Sequence, residues 1–226
     1  MLESSLLSTP AFVEFSKTVV LFLHNTSRVD DEPYPKLLSE KGFGGFPSIC
    51  FLDGAGEVTV RNLQRKIESL TRTRAQLDEL ASLRAAAGKG DKKVERQLFL
   101  LELDLQMMTT EQARERMKTV ELDDADKTRV EQFLVDGEVR VWRGKARELG
   151  ADGVGEKFVA MVRAGRLPSA DMAPYFWQMV LASSAKSGDA ELAQRAFDAL
   201  EDDKTPAVMR ERNRAMLEQA RGASKK

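Results

Sequence analysis

From Asp91 onward no stretch of the chain reads as a β-strand, and this limits the fold more than any single motif does. Apolar residues there recur at intervals of three and four, the spacing of a helix that buries one face. The predicted helical segments are 91–108, 110–120, 124–148, 155–165, 170–187, 190–201 and 206–221. They are separated at Thr109–Thr110, Asp123–Asp124, Gly150–Gly153, Pro168–Ser169, Gly188–Asp189 and Thr205–Pro206. Ser169 and Asp189 stand where N-caps do, their side-chain oxygens free to accept from the first turn. Breaks this short fold helices back on one another as antiparallel hairpins.

The first part of the chain mixes signals. Pro10 suits the first turn of a short helix within 4–17. "TVVLFLHN" (18–25) is a continuous β-branched and aromatic run, the pattern of a strand covered on both faces. A short helix is expected around Lys36–Lys41, stopped at Gly42. "SICFLD" (48–53) reads as a second buried strand, "GAG" as a turn, and "EVTVR" (57–61) as an alternating edge strand. An amphipathic helix over 70–88 closes the region. "AGKGDKK" (87–93) is the best linker candidate. Two domains are therefore expected, residues 1–87 mixed α/β and 91–226 all-helical, with helix dominant.

Composition narrows the chemistry. Lys and Arg number 35 against 36 Asp and Glu, a net charge of -1, which gives no electrostatic reason to expect nucleic acid or an anionic membrane as partner. One cysteine rules out an internal disulfide framework and a Cys-rich zinc site; one histidine speaks against a histidine metal centre or a Ser-His-Asp triad. No metal and no cofactor is expected. No apolar run approaches the ~20 residues that cross a bilayer, and residues 1–15 lack the basic start of a secretory signal.

"GFPSICFLDGAGEV" (45–58), with the helix and strand of 4–25 before it, resembles the thioredoxin-like superfamily from the middle of its domain onward. The resemblance implies that Pro47 corresponds to the family's cis-proline. It also implies that Phe46, Pro47 and Ser48 form the loop that offers backbone groups to an extended peptide or thiol substrate. The family's first strand, first helix, second strand and Cys-x-x-Cys would precede Met1. Three outcomes follow: an N-terminally shortened redox protein inactive in disulfide exchange, two strands that close the gap themselves, or a partner that donates the missing strand. An open apolar edge invites another chain, so a homo-oligomer or strand donation is expected. If a segment preceding Met1 carried an export signal, a bacterial periplasmic location would stay open. The final hairpin also resembles a tetratricopeptide repeat in part: Trp177, Ala193 and Phe197 have the motif's spacing, but Leu181 and Ser184 depart from it.

The remaining candidates each have a plain reading beside the functional one. Cys50, among Ile49, Phe51 and Leu52, is expected to be a buried and inert thiol. His24 ends a predicted strand, where it either serves a site or makes a hydrogen bond at the sheet rim. Asp30, Asp31 and Glu32 lack the oxygen count of a cation loop, and "GFGG" (42–45) lacks the Lys and Ser/Thr of a phosphate loop. Trp142, Tyr175, Phe176, Trp177 and Met179 either line a partner groove between helices or fill the core. The function expected is thus a redox-lineage protein without its cysteine pair, or a non-catalytic module that presents its helices to a protein or peptide partner.

Overall fold

The structure, a computed structural model, describes residues 6–24, 34–45, 47–61, 63–87, 90–202 and 205–223. Among these residues helix dominates, and two short strands form the sheet. The chain divides into two compact units: Met1–Met108 with Thr119–Glu121, and Thr109–Lys118 with Leu122–Lys226.

In the first unit, Thr9 caps α1 (Pro10–Ser16) by accepting from the Phe12 amide, and Pro10 occupies the first turn. After α2 (Leu37–Glu40) come β1 (Phe51–Leu52) and β2 (Val58–Val60), an antiparallel hairpin that pairs Phe51 with Val60 and Leu52 with Val58. The turn forms because Asp53 Oδ1 accepts from the amides of Ala55 and Glu57, each at 2.9 Å. α3 (Ile67–Ala87) and α4 (Lys92–Asp104) complete the unit. Val60, Leu80, Leu101 and Leu105 are its buried centre. Leu6, Leu70, Leu103 and the fully buried Phe99 add to the unit's buried residues, and burying one such side chain contributes about 1.5–3 kcal/mol.

Three expectations change here. Residues 18–24 carry no strand: Val20–Leu23 stand in solvent with no ladder partner among the described residues. A run that is apolar on both faces stays buried only between neighbouring strands, and the hairpin supplies none. The expected buried strand at 48–53 shrinks to Phe51–Leu52, of which Leu52 is exposed. Among the described residues the sheet is a two-stranded antiparallel hairpin. Finally, the first unit runs past the expected boundary at 87–91. Leu80 of α3 meets Leu101 of α4, and Arg84 donates to Glu102 at 2.9 Å, so α3 and α4 form one helical hairpin.

The second unit holds α5 (Thr110–Met117), α6 (Asp124–Gly144), α7 (Ala146–Arg163, broken at Gly150), α8 (Ala173–Ser187), α9 (Ala190–Leu200) and α10 (Ala207–Ala223). Thr109 and Gln112 make a reciprocal capping box at α5, and Asp189 caps α9. Ser169, expected to cap α8, does not: its carbonyl instead accepts from the amides of Met172 and Ala173, and the helix begins later. Phe158, Phe176, Val180 and Leu181 are fully buried, with Ala193 and Ala196 of α9 and Leu217 and Ala220 of α10 closing the core. Two glycines allow the close packing. A Cβ on Gly155 would lie 2.8 Å from Ser183 Cβ and 3.1 Å from the Met179 carbonyl, and one on Gly137 would overlap Thr110 Cγ2. The overlaps with Ser183 Cβ and Thr110 Cγ2 are closer than a real Cβ comes, so a side chain at either glycine would force its neighbour to move.

Candidate functional site

The proline loop of the first unit is only partly available. Phe46 lies outside the described residues. Pro47 and Ser48 are exposed, as a peptide-binding loop requires. Two of their polar groups are engaged within the chain: Arg65 Nη2 donates to the Pro47 carbonyl at 2.9 Å, and the Ser48 hydroxyl donates to the Gly45 carbonyl.

Cys50 is free and half-buried. Burial pushes its thiol above the usual range, an effect the positive Arg61 partly offsets. A thiol held in its neutral form is a poor nucleophile. Arg61 is itself engaged, donating to the Lys41 carbonyl at 2.6 Å with its guanidinium 5.1 Å from the Phe43 ring centre. His24 Nε2 lies 2.9 Å from the Tyr34 carbonyl, but not at a sheet rim, since 18–24 carry no strand. Asp30, Asp31 and Glu32 lie outside the described residues. An open, polar cleft of about 400 Å³ runs beside Val60, Arg61, Arg72, Thr73 and Gln106. Among the described residues no group of His, Cys, Asp or Glu could hold a metal ion, and no helix is long and apolar enough to cross a membrane.

The three aromatic candidates of the second unit separate. Trp177 is buried in the core, its ring edge-on to Phe176 at 5.3 Å between centres, so it cannot line a groove. The reason is helical geometry. Tyr175 and Trp177 are two residues apart on α8 and point about 200° from one another, so one helix face cannot present both. Trp142 and Tyr175 remain on the half-exposed rim.

That rim has a feature missed in the sequence reading. Lys145 Nζ and Lys157 Nζ lie 5.5 and 5.3 Å from the Trp142 ring centre, and Arg143 Cζ lies 5.0 Å from that of Tyr175. Tyr175 meets Phe158 edge-on at 6.0 Å, so the successive pairs Trp142–Arg143 and Lys157–Phe158 bring both rings into one neighbourhood. Cations over ring faces are attracted by the π-electron quadrupole, worth about 0.5–1 kcal/mol at exposed sites. Among the described residues none of the three has a carboxylate partner. Glu138, which accepts from Trp142 Nε1 at 3.4 Å, is paired with Arg166. The run "WRGK" (142–145) was the available signal, with basic residues one and three positions after a tryptophan.

A second arrangement, also missed, holds the rim's supporting helix. Asp136 of α6 accepts from the Ser169 amide at 2.8 Å and from Gln132 Nε2 at 3.2 Å, while Gln132 also donates to the Leu167 carbonyl. The connection into α8 is thereby tied to α6. No family model, curated protein or solved structure matches the chain.

Proposed function

We propose that this protein is a non-catalytic interaction module whose helical unit binds an acidic segment of a partner protein at the Trp142–Tyr175 rim. The observation that carries the reading is the set of three cations, Arg143, Lys145 and Lys157, resting on aromatic rings without a carboxylate to neutralise them. Carboxylates of a partner would complete those pairs, and the partly exposed ring edges would take the apolar stems between them. Rim charges of this kind govern association rate and salt dependence more than depth of binding.

The test is titration of a short fluorescein-labelled Asp/Glu-rich peptide, followed by anisotropy at low and moderate salt. Lys145→Glu with Lys157→Glu is expected to weaken binding by about tenfold or more, as like charges replace opposite ones. Trp142→Ala should weaken it less. Binding that ignores the charge reversal would refute the reading.

The thioredoxin-like lineage stays as a second reading, supported by the hairpin of β1 and β2 behind Pro47 and by the strand-like composition of 18–24. On that reading the chain still lacks a Cys-x-x-Cys, since Cys50 is its sole cysteine. It would therefore have no dithiol of its own with which to exchange disulfides.

A further inference from the structure

One face of α3 is polar where it should be apolar. Ser69, Arg72, Thr73 and Gln76 have the spacing of a single helix face, and all four line the open cleft of about 400 Å³ in the first unit. Ser69 and Thr73 are only 7 and 6% exposed. A helix face buried to this degree is ordinarily apolar, and a buried hydroxyl ordinarily has a partner. Neither hydroxyl makes a hydrogen bond among the described residues, whereas that of Ser82, farther along the same helix, donates to the Asp78 carbonyl at 3.0 Å. Nor is either oxygen sealed from solvent, as Ser184 Oγ and Asn213 Oδ1 are in the second unit. What remains open of Ser69 and Thr73 therefore faces the cleft.

Charge and backbone point the same way. Arg74 is paired with Asp78, but among the described residues Arg72 has no ion pair, not even with Glu68 one turn before it. Arg72 and Arg61 stand in the lining against one carboxylate, Asp104. Gln106, just past the end of α4, lines the cleft as well. Its φ is 54°, the only left-handed conformation other than a glycine's among the described residues. Its amide donates to the Leu103 carbonyl and that of Met107 to the Glu102 carbonyl, each at 2.9 Å. It thus holds the helix-ending position that glycine fills at least cost. A glutamine kept there keeps an amide side chain in the lining.

We propose that this cleft binds a small phosphate monoester of a hydroxylated molecule. Its phosphate is taken by Arg72 and the hydroxyls of Ser69 and Thr73, and its own hydroxyls by the amides of Gln76 and Gln106. An arginine fork and hydroxyl donors match the acceptor oxygens of a phosphate. A side-chain amide both gives and accepts hydrogen bonds, as a ligand hydroxyl does. The volume lies in the range of small-molecule sites, and the polar lining disfavours an apolar occupant. This inference concerns the first unit and does not depend on the acidic-segment reading.

The experiment is an amide NMR titration of the full chain with glycerophosphate, inorganic phosphate and glycerol as separate probes. Thermal unfolding of each variant is the check on folding. Glycerophosphate is expected to shift the amide signals of the cleft residues and to bind more tightly than inorganic phosphate, while glycerol leaves them in place. Arg72→Ala, at an exposed side chain, should weaken that binding by about tenfold with an unchanged melting temperature. Thr73→Val keeps the shape and drops the hydroxyl, so it should weaken binding by about threefold without lowering the melting temperature. Gln106→Gly should raise the melting temperature and still weaken binding. Absence of shifts at the cleft overturns the proposal, as do equal affinities for glycerophosphate and inorganic phosphate, or undiminished binding by Arg72→Ala. A lower melting temperature in Thr73→Val does so too, because the hydroxyl would then serve the fold.

Discussion

The two units draw on similar amounts of apolar sequence and hide it to different degrees. In the second, Phe158, Phe176, Val180 and Leu181 reach complete burial, and its large apolar residues left exposed are Val141, Val208 and Met209. In the first, a centre of Val60, Leu80, Leu101 and Leu105 and a fully buried Phe99 coexist with exposed Val13, Val20, Leu21, Phe22, Leu23 and Tyr34. The difference lies in what each kind of element demands. An amphipathic helix needs one neighbour, and a short connection supplies it. A strand that is apolar on both faces needs a ladder partner and two covering layers, which this unit's hairpin does not offer.

The largest effect expected from testing this contrast is at Phe158. Phe158→Ala removes a fully buried ring packed 4.8 Å from Phe176 and should cost about 3–5 kcal/mol in urea unfolding. Leu101→Ala, in the smaller core of the first unit, should cost about 2 kcal/mol, the low end for such truncations. A loss at Leu101 equal to that at Phe158 would break the comparison, because it would mean the first core is packed as completely as the second.

How far the sequence foretold these cores follows from the same contrast. The starts of α5, α6 and α9 and the stop of α8 were readable because they are local: Thr109, Asp123 and Asp189 cap the starts, and Gly188 in the left-handed region with φ 74° ends α8. The expected helix over 124–148 instead ends at Gly144, and α8 begins at Ala173 rather than just after Ser169. Pro10 and the Asp53 turn were readable for the same reason. The fate of 18–24 was not, because a strand pattern states what a segment needs and not whether the chain provides it. Trp142 and Tyr175 were picked out by type, but their separation from Trp177 depended on which face of α8 turns inward. Asp136 gave no signal at all, since its partner Ser169 is 33 residues away.

The smallest effect, and the one that refines the picture of the first unit, concerns Cys50. Its folded thiol is raised by burial, so alkylation by iodoacetamide should set in at higher pH in the folded chain than in guanidinium. By linkage, its contribution to stability is fully present below the unfolded thiol pKa and is lost as pH climbs through the folded value. Coincident alkylation profiles in the two states would show that Cys50 is not desolvated.

The hairpin of Phe51–Leu52 and Val58–Val60 has a consequence for the order of events during synthesis. Two strands so short make too little ladder to persist alone, and Val60 is buried in a cluster with Leu80, Leu101 and Leu105. A ribosome releases the chain from its N-terminus at about 5–20 residues per second, so the β-turn emerges seconds before the side chains that clamp it. Until Leu101 and Leu105 arrive, Val60 has no complete berth and the turn flickers open. The nascent protein therefore acquires this hairpin after α3 and α4 have met.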